Sequence, residues 1–243
     1  MIYLDIEGFS EIYKKNEGKA YDILSELVSD IYHIMTRIFH DTTRSISEAR
    51  LSLITYHLGD AFFISPGPLG WDLNLEIPLS ISITLMKALS RIGAFAKTAI
   101  SYGNMVDYSS IFPSDIQNNI EHSYIKTHTG LFTIFPVMGL GWINAVKLSE
   151  KDSGPLLLLD QNFQESLDKS KFRLIEGYDL NYICIDWINT KNELITEIFN
   201  KINITQPSPD DIRKSLSGYL EINDMGKRWK TNAEKLIGIN HPY

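Results

Sequence analysis

Hydrophobic positions along this chain change period several times, and each change predicts an element. Ile2 to Ile6 is a short apolar run interrupted by one aspartate, which predicts a buried strand, with a turn over residues 8 to 10. From Glu17 to Phe39 the apolar residues Tyr21, Leu24, Leu27, Val28, Ile31, Ile34, Met35 and Ile38 recur at three and four, the spacing of an amphipathic helix. Leu51 to Tyr56 and Ala61 to Ile64 read as two strands joined tightly through Leu58-Gly59, and Pro66-Gly67-Pro68 breaks the chain after them. A second helix is predicted over Pro78 to Ile92 and a third strand over Phe95 to Ile100, ended by Tyr102-Gly103. The polar stretch Ser109 to Thr129 reads as a long loop. Gly139-Leu140-Gly141 precedes a helix over Trp142 to Ser149, Pro155 to Asp160 is a compact strand, Asp160 to Leu167 a short helix, and Tyr182 to Trp187 a last strand. The order β-α-β-β-α-β, with additions, predicts an α+β sandwich of ferredoxin-like or palm type. Three further helical stretches, near 192–203, 209–220 and 226–237, predict a helical C-terminal extension. Phe199, Leu216, Tyr219, Leu220 and Trp229 would pack it on the core.

Composition narrows the partners more than the fold. In 243 residues, 44% are apolar and 22% charged, as in an ordinary soluble globular protein. A net charge of -7 argues against binding along a nucleic-acid backbone, yet leaves room for a small triphosphate held by a metal and a few local donors. The single cysteine, Cys184, cannot form an internal disulfide. No run reaches the length of a membrane span, and no basic stretch leads into an apolar one at the N-terminus. The expectation is a cytoplasmic protein that binds neither membrane nor nucleic acid.

The candidate chemistry lies in two aspartates set among apolar residues, Asp5 in Tyr3-Leu4-Asp5-Ile6-Glu7-Gly8-Phe9-Ser10 and Asp60 in Tyr56-His57-Leu58-Gly59-Asp60-Ala61. A carboxylate in a hydrophobic strand costs several kcal/mol to desolvate unless a cation or strong donors accompany it. A tight hairpin can bring Asp60 beside the first strand, and paired hard oxygen ligands select magnesium or manganese. The N–H groups of Gly8, Phe9 and Ser10, at a helix start, would face the same space and suit a phosphate. A plainer reading of the first segment is that Ser10 caps the helix and Asp5 is simply hydrogen-bonded. The six histidines are scattered and suggest no zinc site.

With these segments in hand, the chain resembles the class III nucleotidyl cyclase catalytic domain, the family of adenylyl and guanylyl cyclases. Residues 3–10 resemble its first metal motif and residues 56–60 its second. Lys97-Thr98-Ala99-Ile100-Ser101-Tyr102-Gly103 resembles its central strand and turn, and Gly139 to Leu148 its glycine-rich entry into the helix carrying transition-state residues. The resemblance covers about residues 1–188, so the expected organisation is a catalytic domain over 1–189 and a helical extension over 190–243. It implies that Asp5, Asp60 and the Ile6 carbonyl hold two divalent cations, Mn2+ or Mg2+. One lowers the pKa of a ribose 3′-hydroxyl and the other grips the triphosphate, so that the hydroxyl attacks the α-phosphorus in line and pyrophosphate leaves. It also implies a homodimer with two composite active sites, metal aspartates coming from one subunit and base-reading and transition-state residues from the other.

The departures from the family pattern bear on the substrate. Where adenylyl cyclases usually carry lysine and guanylyl cyclases glutamate, this chain has Tyr56, a bulky ring that suits a smaller base or serves in cross-strand packing. The second base-reading stretch, Phe135-Pro136-Val137-Met138, has no carboxylate. This combination resembles the pyrimidine cyclases of bacterial Pycsar anti-phage systems, and tyrosine at this position implies uridine. In the transition-state helix Ile143 falls at the family's asparagine and Lys147 at its arginine, with Asn144 one residue away. Lys147 brings the charge without arginine's planar fork. For the family's triphosphate lysine, Lys171 and Arg173 are candidates. The expected activity is therefore a uridylate cyclase converting UTP to 3′,5′-cyclic UMP, a messenger for a separate effector protein. The alternatives are a cytidylate cyclase and a degenerate cyclase fold that binds nucleotide without turning it over. An α+β nucleic-acid-binding domain is disfavoured by the acidic balance.

Overall fold

The structure, a computed structural model, describes residues 1–38, 53–66, 75–104, 106–107, 113–114, 124–127, 130–133, 137–175 and 181–238. In chain order its elements are β1 (Ile2–Ile6), α1 (Phe9–Lys15), α2 (Glu17–His33), β2 (Leu53–Leu58), β3 (Ala61–Pro66), α3 (Glu76–Arg91), β4 (Ala96–Ile100), β5 (Val106–Asp107), β6 (Tyr124–Thr127), β7 (Gly130–Thr133), β8 (Val137–Met138), α4 (Leu140–Ser149), β9 (Leu157–Asp160), β10 (Tyr182–Ile185), α5 (Glu193–Ile202), α6 (Pro209–Ile222) and α7 (Lys227–Ile237). Six strands form one sheet in the order β10-β9-β4-β1-β3-β2. β1 is antiparallel to both β3 and β4, β2 and β3 form a hairpin, and β9 runs parallel to β4. The four strands β4-β1-β3-β2 with their two helical connections are the ferredoxin-like arrangement that the order of elements predicts.

Alternation along β1 separates two faces. Ile2, Leu4 and Ile6 are buried against the helical layer, with Leu79, Leu85 and Leu89 of α3 in the same core cluster. Tyr3 and Asp5 point to the other face. α3 is buried at every position from Pro78 to Ser90, including Lys87, whose Nζ donates to the Thr190 carbonyl at 2.8 Å. Such a helix is central rather than amphipathic.

Several boundaries shift for local reasons. The helix expected over 17–39 ends at His33 and continues as one π-helical turn, Ile34–Ile38; residue 39 lies outside the described residues. β2 is described from Leu53, so the expectation for 51–52 lies outside them, as does the break at 67–68. The short helix expected over 160–167 is only a 3-10 turn, Gln161–Phe163, because Asp160 caps Asn162 and turns follow at once. Within the polar stretch 109–129, residues 124–127 pair with 130–133 as a hairpin. α5, α6 and α7 follow the three predicted C-terminal helices, and Ile195, Phe199, Ile212, Leu216, Tyr219, Trp229 and Leu236 belong to the same buried cluster as the sheet.

Candidate functional site

The two aspartates converge at one end of the sheet. Asp5 is directly opposite Ala61 on β3 and Lys97 on β4. The two-residue turn between β2 and β3 is Gly59-Asp60, and the Ile6 N–H donates to the Asp60 carbonyl at 3.2 Å, which pins that turn beside the end of β1. Asp5 is half-buried. Burial, then the neighbouring Asp60 and Glu7 charges, push its carboxyl up to about 7 despite Lys97. Tyr3, on the same face, is raised to about 12 by burial and by Asp5, Asp60, Glu150 and Glu7 in turn. Negative field thus accumulates at this end of the sheet. Among the described residues no hydrogen bond or ion pair satisfies either Asp5 or Asp60.

The loop after β1 is built differently from a simple capped helix. Gly8, at φ 70°, is the residue before α1, and no side chain caps that helix, so Ser10 does not serve as the cap. A β-carbon at Gly8 would lie 2.7 Å from the Tyr219 hydroxyl, so this glycine is required by contact as well as by conformation. Ser10 is exposed, while Phe9 packs against the core. The Gly8 carbonyl accepts from the Glu11 and Ile12 N–H groups.

Glu7 uses every polar group it has. Its N–H donates to the Phe95 carbonyl at 2.8 Å, and its carbonyl accepts from the Tyr219 hydroxyl at 3.0 Å. Its carboxylate accepts from the Trp229 indole at 2.6 Å and pairs with Lys97 at 3.4 Å. Lys97 also donates to the Asp152 carbonyl at 3.3 Å. Burial works against the Asp152 charge, but bonds from Arg228, Tyr182, Ser153 and Asn232 hold its carboxyl below the usual range.

On the face carrying Asp5, α4 lies across the sheet. It can approach because Gly103 and Gly141 meet backbone to backbone: a β-carbon on Gly103 would fall 2.3 Å from the Gly141 nitrogen. The Ser101 hydroxyl donates to the Gly141 carbonyl at 2.7 Å, locking the docking. Trp142 of α4 stacks on Phe63 with centroids 3.5 Å apart and planes 10° apart, Tyr3 leans on Phe63 at 4.9 Å, and Tyr56 approaches Trp142 edge-on at 6.0 Å. Tyr56 pairs with Phe63 across the hairpin, so it shares the face of Asp5 while packing against its own chain.

The remaining candidates separate. Asn144 donates to the Tyr102 carbonyl at 3.2 Å, a bond that holds α4 to the end of β4. Lys147 is exposed on the side of α4 away from buried Ala145 and Leu148, next to exposed Ile143, and has no partner among the described residues. Lys171 is in a 2.7 Å ion pair with Glu76, the first residue of α3. That helix, whose last turn leads into β4 beside Asp5, spans about 24 Å, so Lys171 sits far from the carboxylates. Arg173 is 3.8 Å from Asp186, beyond the edge strand β10. Residues 135–136 lie outside the described residues. Sequence reasoning missed Glu7, Lys97 as its partner, and Trp229 and Tyr219. The one signal for them was a glutamate inside an apolar segment.

The residues fit a divalent cation in charge and chemistry: two carboxylates at the same end of the sheet, partly desolvated and in no ion pair among the described residues. No group of three or more histidine, cysteine, aspartate or glutamate side chains able to hold a metal occurs among the described residues. The rest of a coordination shell would therefore come from backbone carbonyls, water or a bound ligand.

No known family's sequence pattern matches this chain, and no characterised protein matches it in sequence. Among solved structures it is similar to the adenylyl cyclase CyaB from P. aeruginosa, with a TM-score of 0.47 at 12% identity, covering 76% of this chain and 90% of that one. It is also similar to the guanylyl cyclase Cya2, with a TM-score of 0.44 at 9% identity, covering 76% of this chain and 87% of that one.

Proposed function

We propose that this protein is a nucleotidyl cyclase of the class III type, acting on a pyrimidine nucleoside triphosphate, UTP, to give 3′,5′-cyclic UMP and pyrophosphate. One observation carries the reading: Asp5 and Asp60 lie at the same end of a ferredoxin-like sheet, neither side chain in an ion pair or hydrogen bond among the described residues, while neighbouring Glu7 and Asp152 are both paired. Divalent cations bound there supply charge neutralisation for the triphosphate and a lowered pKa for the 3′-hydroxyl.

The chain's own contribution is positional. Asp5 is fixed by ladder pairing on both sides, and Asp60 by the Ile6 N–H bond to its own carbonyl, so the two carboxylates are set before substrate arrives. Lys147, free on the outer side of α4, is suited to reach a phosphoryl charge in a second copy, which supports a homodimer with shared sites. Tyr56 and Trp142, both partly exposed and backed by buried Phe63, are suited to stack on a single-ring base. Tyr56 carries neither the charge of lysine nor that of glutamate, which supports uracil over purine. A cyclic nucleotide released from such a site is a small diffusible product, suited to a messenger role in anti-phage defence read by a separate effector.

The test is incubation of the purified protein with UTP, CTP, ATP and GTP in Mn2+, with mass-spectrometric identification of product and a pyrophosphate assay. Cyclic UMP with stoichiometric pyrophosphate is expected, and none from Asp60→Ala. Cyclic CMP as the main product would make the enzyme a cytidylate cyclase. Nucleotide binding without any product would leave only a binding module.

A further inference from the structure

Lys97 faces a choice of carboxylates. It stands directly across the ladder from Asp5, at the separation where opposite charges on one sheet face normally pair. It pairs instead with Glu7, two residues further along β1's strand end, and with the Asp152 carbonyl. Glu7 is held for that purpose from far along the chain: Trp229 of α7 donates to its carboxylate and Tyr219 of α6 to its carbonyl. The rings of Tyr219 and Trp229 lie 5.5 Å apart, so the two donors are packed as a unit. The Asp152 carbonyl is steadied in turn by Arg228 and Asn232 of α7, which bind the Asp152 side chain and the Ser153 carbonyl.

We propose that the C-terminal helices complete the cation site by clamping Glu7, which draws Lys97 away from Asp5 and so keeps Asp5 open to a divalent ion. Glu7, Trp229 and Tyr219 are positioning residues: they touch neither substrate nor cation. A largely buried lysine that loses its partner is left as an uncompensated charge, a cost that pairing with another carboxylate within reach would relieve. Here that carboxylate is Asp5, and an Asp5–Lys97 pair would compete with the cation for the same oxygens. Tyr219 adds a second constraint, because its hydroxyl fills the space above Gly8 and fixes the peptide that follows the Ile6 carbonyl. The extension is on this account part of the active site, although it contributes no ligand. The inference rests on the cation role assigned above to Asp5 and Asp60.

The experiment measures Mn2+ binding to the full chain without nucleotide, by electron paramagnetic resonance of free Mn2+, together with the melting temperature of each variant. Wild type should bind, and Asp5→Asn should not. Glu7→Gln keeps the size and an acceptor for Trp229 but removes the charge that holds Lys97; it should weaken Mn2+ binding by roughly tenfold, the scale of one well-placed charge neighbour. Trp229→Phe should weaken it by a smaller factor, about threefold, since one of two holds on Glu7 remains. The deciding variant is Glu7→Gln with Lys97→Met, isosteric and uncharged at both positions. It should recover binding to near the wild-type level, a rescue that a merely structural role for Glu7 would not produce. Unchanged binding in Glu7→Gln overturns the proposal, as does a folded double variant that binds no better than Glu7→Gln. If wild type itself shows no binding that Asp5→Asn abolishes, the cation site has failed and the clamp with it. Binding in wild type that Glu7→Gln leaves intact removes the clamp alone.

Discussion

Replacing Asp5 by asparagine should make the metal-free protein more stable while removing its function. Its carboxyl is raised from 3.8 to about 7, first by burial and then by Asp60 and Glu7. Between those values the folded protein holds a proton that the unfolded chain has released, so stability falls as pH rises through that window and the full penalty stands above it. At about 1.36 kcal/mol per unit the ceiling is roughly 4 kcal/mol, and residual solvent access with sharing between the two carboxylates reduces this to about 2 kcal/mol. Asparagine keeps the volume and drops the charge. For a chain of this size that gain is about 4 to 8 °C in melting temperature. The assay is a thermal melt of wild type and Asp5→Asn in EDTA at pH 8 and at pH 5. The variant should lead at pH 8, and most of the difference should vanish at pH 5, where the native carboxyl is protonated. Adding Mn2+ at pH 8 should close the gap from the other side, by about 2.7 kcal/mol when the ion is at a hundred times its dissociation constant, and only in wild type. A variant that melts at or below wild type in EDTA at pH 8 would falsify the claim that Asp5 is an uncompensated charge.

Asp60→Ala should abolish product formation and leave the melting temperature within a few degrees of wild type, because the bond from the Ile6 N–H goes to the backbone carbonyl rather than the side chain; a collapse in folding would instead make Asp60 structural. Mixing inactive Asp60→Ala with inactive Lys147→Ala protein should restore part of the activity, since one site of each mixed dimer has both intact halves; no recovery at equilibrium argues for sites within a single chain. Tyr56→Ala should change the kcat/KM ratio of UTP to ATP by about tenfold or more while costing little stability, and an unchanged ratio removes Tyr56 from base selection. Gly8→Ala should cost about 1 to 3 kcal/mol, read by chemical denaturation, because the residue sits at φ 70° and the new methyl meets the Tyr219 hydroxyl; a neutral result would mean that loop is not held as described.

How much of this was legible in the sequence depended on how local the information was. β1, the β2–β3 hairpin and α3 follow from alternation, a Gly-Asp turn and a long apolar run, each of which acts over a few residues. So do the glycines at 103 and 141, although periodicity marks them only as turns. Their reason, a backbone contact that lets α4 reach the sheet, needs both ends of a 38-residue separation at once. Residues 124–127 carry strand-forming Tyr, Ile and Thr, but the polar residues around them dominate any window wide enough to judge. Phe163 and Leu167 have helical spacing, yet the Asp160 side chain favours a single turn by taking the Asn162 N–H. Trp229, Ala233 and Leu236 could be read as the buried stripe of α7. Nothing local says that Trp229 meets a glutamate 222 residues earlier.

The distribution of positive charge around the site is the most informative outcome of that long-range packing. Four carboxylates crowd the region around the end of β1 and the start of β4, and the protein satisfies them unequally. Asp152 receives Arg228, Tyr182, Asn232 and its neighbour's N–H, and Glu7 receives Lys97 and Trp229. Asp5, directly opposite Lys97 in the ladder, has no ion pair or side-chain hydrogen bond among the described residues, and the Asp60 side chain has none either. A direct Asp5–Lys97 pair across the ladder would compensate Asp5 with no additional helix. Leaving it open costs stability at neutral pH and requires two C-terminal helices to hold the lysine elsewhere. A fold that leaves one charge uncompensated and holds its neighbour from 212 residues away, through the Tyr219 hydroxyl, is the physical support for the cation site proposed above.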